Sequence, residues 1–209
     1  MAEKPILFNT EMVRAILDGR KTQTRRLVKN IPLQEPYFED VDGTPYACDG
    51  AGEWHPAVDF SPIQKGDVLW VRETWCALPV SPGGHIRIPD WYYYRADPEL
   101  RPEAWRGKWC PSIHMPKEAA RLFLRVTGVR IERLQNITSH DALREGVKDP
   151  YDYQPSSWYD RHNGLLNSAE VAAFAGLWDT TVKSSELEKY GWDANPWVWV
   201  IEFERCEKP

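Results

Sequence analysis

No two of the four cysteines, Cys48, Cys76, Cys110 and Cys206, stand in a CxxC pair. No histidine spacing completes a zinc pattern around them, so neither a metal nor any other cofactor is expected. Four free thiols fit a reducing compartment, and the expected location is the cytoplasm. The chain also lacks an apolar run of the roughly 18–20 residues that would cross a bilayer. Its first residues show no charged-then-apolar signal segment, so no membrane partner is expected. Net positive charge is missing as well. Lysine and arginine total 26 against 31 aspartates and glutamates, a formal charge of −5. That balance argues against wholesale electrostatic binding of duplex nucleic acid, although it leaves room for a local basic cleft. There is no internal repeat and no low-complexity segment.

Tryptophan, by contrast, is in excess, at eleven residues. Most of these rings, Trp197 and Trp199 among them, are expected to fill the core, and some are available to line a site for a flat ligand. Hydrophobic content of 42% and charged content of 27% are ordinary for a globular protein. A length of 209 residues suits a single domain over 1–209, with insertions at about 30–62 and 76–108.

The N-terminal third is the most legible. Pro5 to Phe8 reads as a short strand. Asn9 or Thr10 can cap a helix whose first turn carries Glu11. Met12, Val13, Ile16 and Leu17 share one face of that helix, and Gly19 suits its C′ position. Lys65-Gly66-Asp67 is a turn signal ahead of the strand candidate Val68 to Trp75. Trp91 to Arg95 reads as another strand, and Pro116 as the start of a one-to-two-turn helix. Leu122, Leu124, Val126, Val129 and Ile131 alternate as a strand does, with Gly128 marking a bulge or bend. Thr138 or Ser139 caps a short helix over 141–145 that Gly146 ends. Ser168 opens a second helix that buries Val171, Phe174, Ala175, Leu177 and Trp178. Trp197 to Phe203 is a last strand, expected to pair with the strand after the first helix. Strands that outnumber helices without alternating regularly disfavour a doubly wound parallel sheet. The expected fold is α+β, a mostly antiparallel barrel with a few peripheral helices.

One stretch stands out chemically, Gly19-Arg20-Lys21-Thr22-Gln23-Thr24-Arg25-Arg26. It sets a lysine and a threonine three residues apart amid arginines, directly after a helix end. A lysine crowded by cations loses its proton more readily. Its order with Lys65-Gly66-Asp67, Ala142-Leu143-Arg144-Glu145-Gly146 and Trp199-Val200-Ile201-Glu202-Phe203 resembles the ASCH domain family of the PUA-like superfamily. Val71-Arg72-Glu73-Thr74-Trp75, Pro111 to Pro116 and Trp192 to Trp197 resemble its longer phage and prophage branch, which implies a bacterial host cell. The resemblance spans nearly the whole chain apart from the two insertions. It implies a PUA-like β-barrel and a proposed capacity to bind RNA. Some small bacterial members are amidohydrolases that deacetylate N4-acetylcytidine with a lysine, a threonine and a glutamate. Carried over, these are Lys21, Thr24 and Glu145. Separately from that carry-over, Arg26, Glu73, Trp75 and His114 are candidate substrate-binding residues.

Hydrolysis of an N4-acyl cytidine requires a nucleophile, a base and stabilisation of an oxyanion. Either Thr24 attacks while Lys21 takes its proton, or Lys21 or Glu145 activates a water that Thr24 orients. A lysine acting as base near neutrality needs about 4 kcal/mol of bias toward the neutral amine. The expected partner is therefore a modified pyrimidine nucleoside. The competing reading is an RNA-binding module, or a ribonuclease built on one, in which Arg14, Arg20, Lys21, Arg25, Arg26 and Lys29 form a basic stripe opposed only by Asp18.

Overall fold

The structure, a computed structural model, describes residues 1–29, 45–49, 51–77, 92–97, 108–148 and 169–209. Strand β1 (Glu3–Leu7) leads into helix α1 (Thr10–Leu17). Asn9 caps α1, its side chain accepting from the Met12 N–H at 2.8 Å. Val13, Ala15 and Ile16 are buried, as the apolar spacing requires. Gly19 follows the C-cap with φ +76°, the left-handed geometry that ends helices and that only glycine adopts without strain. The chain then enters β2 (Gln23–Leu27).

Within the first expected insertion, β3 (Tyr46–Cys48) and β4 (Trp54–Pro56) form a small antiparallel hairpin, followed by a 3₁₀ turn at Ala57–Phe60. The strand expected to run unbroken from Val68 to Trp75 is two elements. β5 (Val68–Arg72) belongs to the main sheet, and β6 (Trp75–Ala77) pairs with β7 (Tyr92–Tyr94) in a separate ribbon. Glu73 and Thr74 make the break. The helix expected after Pro116 is a single 3₁₀ turn, Lys117–Ala119. Strand β8 (Phe123–Arg133) carries the bulge foreseen at Gly128, where the register against β9 (Trp197–Cys206) shifts. Helix α2 (Ser139–Arg144) is capped by Thr138. Helix α3 (Ala169–Thr181) buries Val171, Phe174, Ala175 and Trp178, and a short α4 (Leu187–Tyr190) follows. Ser168, Trp91, Pro82-Gly83-Gly84 and most of the insertions lie outside the described residues.

The main sheet has the order β1-β5-β8-β9-β2. β1 and β5 run parallel, and the remaining pairs are antiparallel, including the expected pairing of β2 with β9. Alternation along β9 feeds two cores. Trp199, Ile201 and Phe203 pack with Ile6, Phe8, Val13 and Ile16 on one face. Val198 and Val200 pack with Leu134, Ala142, Phe174 and Trp178 on the other. Each fully buried aliphatic side chain stabilises the fold by about 1.5–3 kcal/mol relative to exposure.

The fold is α+β, as expected, but the sheet is not a closed barrel. β1 and β2 are its edges, and no ladder joins them among the described strands. Side chains span the gap instead. Arg26 on β2 donates from Nη2 to the Leu7 carbonyl at 2.8 Å, and its guanidinium lies 5.1 Å from the centre of the Phe8 ring. A charged side chain on an edge strand also discourages pairing with other chains.

Candidate active site

The turn that carries Lys21 is stitched to two helices by backbone hydrogen bonds. Lys21 N–H donates to the Ala15 carbonyl of α1 at 3.0 Å, and Thr22 N–H donates to the Arg144 carbonyl of α2 at 2.9 Å. Glu145 is the C-cap of α2, and Gly146 follows with φ +87°. A β-carbon on Gly146 would sit 2.8 Å from Ala15 Cβ and 3.0 Å from Lys21 Cβ. Glycine is therefore what lets the end of α2 come up against Lys21.

This approach puts the two expected catalytic groups in contact. Lys21 Nζ donates to Glu145 Oε2 at 2.8 Å and to the Glu145 carbonyl at 2.7 Å. Arg25 Nη1 donates to Glu145 Oε1 at 3.1 Å. Arg25 also binds Glu132 and lies 3.7 Å from Asp141 Oδ2. Lys21, Arg25 and Glu145 are all buried. Burial is the largest influence on Lys21 and drives its pKa below the ordinary 10.5. Contact with Glu145 opposes the shift, and the neighbouring Arg26 and Arg25 add to it.

Thr24 is buried on β2, opposite Ile201, and so lies on the Phe8 face of the sheet. Among the described residues its hydroxyl makes no hydrogen bond to Lys21 or Glu145. Lys21, Thr24, Arg25, Arg26 and Glu145 line one cavity of about 480 Å³. Its apolar lining comes from Phe8 and Met12 at the start of α1 and from Phe174, Leu177 and Trp178 on α3. Lys29, Lys183 and Glu186 complete its outer part.

Of the four expected substrate-binding residues, the structure brings Arg26 to this cavity. Glu73, Trp75 and His114 do not line it. Glu73 is buried beyond β5, where it accepts from Arg121 Nε at 2.9 Å and Nη2 at 3.1 Å, and burial raises its pKa. Arg121 lies 4.0 Å from the centre of the Tyr94 ring. Arg72, the neighbour of Glu73 in sequence, donates to the Ile113 carbonyl. Trp75 meets Tyr92 edge-on at 5.6 Å. His114 is exposed in a 3₁₀ turn.

The basic stripe is likewise not free. Arg14 pairs with Glu11, Arg20 with Asp18, Lys21 with Glu145, and Arg25 with three carboxylates. Sequence reasoning gave Arg25 no role beyond its charge. Strand alternation would have placed it on the face opposite Thr24 and Arg26. The i, i+4 spacing of Asp141 and Glu145 would have put both acids on one side of α2. Away from the cavity, Asp49, Glu53 and His55 on the β3–β4 hairpin bring ligand atoms within 4.8 Å of one another, a partly exposed group with the spacing of cation ligands. Among the described residues no helix is long and apolar enough to cross a membrane.

No family model matches the chain, and no curated protein matches it. Among solved structures it is similar to the crystal structure of an ASCH domain from Lactobacillus crispatus JV V101, at 13% identity and a TM-score of 0.36, over 98% of this chain and 79% of that one.

Proposed function

We propose that the protein is an amidohydrolase that removes the acyl group from N4-acetylcytidine or a related N4-acylated cytosine nucleoside. One observation carries the reading. Lys21 and Glu145, 124 positions apart, meet in the buried wall of a cavity that also holds Thr24. Phe8, Phe174 and Trp178 supply the flat apolar surface that a pyrimidine needs.

The contacts favour activation of water over direct attack by Thr24. Two of the three Lys21 N–H bonds are committed to Glu145, and the Thr24 hydroxyl is not among the amine's partners. In this route the Glu145 carboxylate takes a proton from a water whose oxygen attacks the acyl carbon. Thr24 donates a hydrogen bond to the oxygen that becomes charged. The C–N4 bond then breaks. Lys21, made more acidic by burial, gives a proton to the departing N4 and is reprotonated from the carboxyl. The products are cytidine and the carboxylic acid.

The test follows the loss of acylcytosine absorbance when protein is mixed with N4-acetylcytidine. Turnover is expected, with Lys21→Ala and Glu145→Ala each lowering kcat by about 10²–10⁴-fold. Absence of turnover, together with salt-sensitive retention of single-stranded RNA, would replace this reading with the RNA-binding module. That module has less support, since most of its expected stripe is neutralised by carboxylates.

A further inference from the structure

The cavity has more cations than its chemistry uses. Lys21 and Arg25 are matched by Glu145 and its neighbours. Arg26, Lys29 and Lys183 are not, since among the described residues none of the three forms an ion pair. Arg26 donates to the carbonyls of Leu7 and Arg25. Lys29 is exposed, with its ammonium 5.6 Å from the centre of the Tyr190 ring. Lys183, exposed beyond the end of α3, lines the same cavity. Besides Glu145, which attracts Arg26 as well as holding Lys21 and Arg25, Glu186 is the one acid in the lining, and an excess of positive charge remains. This excess sits in a chain of net charge −5, whose other cations include many held by carboxylates, such as Lys4, Lys117, Arg121 and Arg130.

We infer that the cavity binds a phosphate-bearing pyrimidine, a 5′-mononucleotide rather than a bare nucleoside, with the phosphate against Lys29, Lys183 and Arg26. The substrate class deepens the amidohydrolase reading and rests on it for the acyl group alone. The anion site stands on the charges of the cavity. An uncharged nucleoside offers this excess of positive charge nothing, whereas a phosphate accepts charge-assisted hydrogen bonds from Lys29, Lys183 and Arg26. Lysines serve such a group as mobile point charges, and Arg26 is already held in place by the Leu7 carbonyl. A cavity of about 480 Å³ has room for one nucleotide.

Calorimetric titration with cytidine 5′-monophosphate and with cytidine tests this without any turnover. The monophosphate is expected to bind about tenfold more tightly. Its advantage should grow as pH rises through about 6, where the phosphate gains its second charge. Lys29→Ala/Lys183→Ala should bring the ratio of the two affinities toward one. Both lysines are exposed, and a Lys29→Gln/Lys183→Gln pair checks that the loss follows charge rather than packing. Equal affinities, no binding of the monophosphate, or an advantage that survives both double variants would overturn the inference. A short single-stranded RNA that outcompetes the monophosphate through the same lysines would replace the mononucleotide with RNA. If N4-acetylcytidine is hydrolysed while the ratio is one, the anion site falls and the amidohydrolase stands. If the ratio holds while neither N4-acetylcytidine nor its 5′-monophosphate turns over, the outcome is reversed.

Discussion

Glu145 holds two buried cations, and this makes its loss costlier than the loss of either partner. With Glu145→Ala, the Lys21 ammonium remains in a cavity wall with no carboxylate to compensate it, while Arg25 keeps Glu132 and Asp141. Orphaning a buried charge in this way costs about 3–5 kcal/mol. Lys21→Met removes the ammonium itself and leaves Glu145 paired with Arg25, a change expected near the ordinary cost of about 1 kcal/mol. Urea unfolding should therefore show Glu145→Ala as clearly the less stable variant, and equal midpoints would mean that the pair is solvated. The pH dependence has a definite sign. The folded protein holds the Lys21 pKa below 10.5, so between that lowered value and 10.5 the unfolded chain binds more protons and stability rises with pH. The penalty for burying the charged lysine is full at lower pH and disappears above 10.5. Lys21→Met should flatten this rise in unfolding midpoints as pH approaches 10.5 from below. At Thr24, the proposed route predicts that Thr24→Ala keeps part of the activity, because the hydroxyl orients and does not attack. Complete loss, together with an acylated Thr24 in the wild-type protein seen by mass spectrometry, would reverse the roles.

The two helices framed by their own caps and stops are legible in the sequence, whereas the break in one strand and the partners of one arginine depend on distant residues. Asn9, the apolar spacing of α1 and Gly19 define one helix completely, because cap, face and stop all lie within eleven positions. Thr138 and Gly146 frame α2 in the same way. The run Val68 to Trp75 is uniformly strand-like in composition, yet it divides where Glu73 turns in toward Arg121, 48 residues further along the chain. Arg25 misled for the same reason, since its carboxylate partners are more than one hundred positions away. The meeting of α1, β2 and α2 gives a prediction at this scale. Gly146→Ala adds a β-carbon within 2.8 Å of Ala15 Cβ as well as left-handed strain, at a cost of about 1–3 kcal/mol, and it pushes α2 away from Lys21. Gly19→Ala meets nothing within 4 Å and carries the backbone strain alone, about 1 kcal/mol. Thermal unfolding and the hydrolysis assay on both variants should show Gly146→Ala losing stability and activity together, and Gly19→Ala losing stability with activity kept. Equal activity loss in the two would mean that the fit of α2 against Lys21 does not govern the site.

Across the whole molecule, acids outnumber bases while the cavity keeps its excess of cations. An overall charge of −5 repels a polyanion at long range, whereas a single phosphate responds to the few cations next to it. The two situations differ in their response to salt. A strand held by Z cations releases counterions and loses affinity with a log–log slope of about −0.7Z, so a basic track of five or six contacts would give about −4. A mononucleotide carries no condensed counterion layer, and its two or three contacts are screened only over a Debye length, about 10 Å at 0.1 M salt. Titrations of cytidine 5′-monophosphate from about 50 mM to about 500 mM sodium chloride should therefore give a slope shallower than about −2. Hydrolysis of N4-acetylcytidine, which bears no phosphate, should change little over the same range. Were a single-stranded oligonucleotide to bind with a slope near −4, the net negative charge would have failed to exclude it. The cavity would then have to be understood as one station on a longer nucleic-acid path.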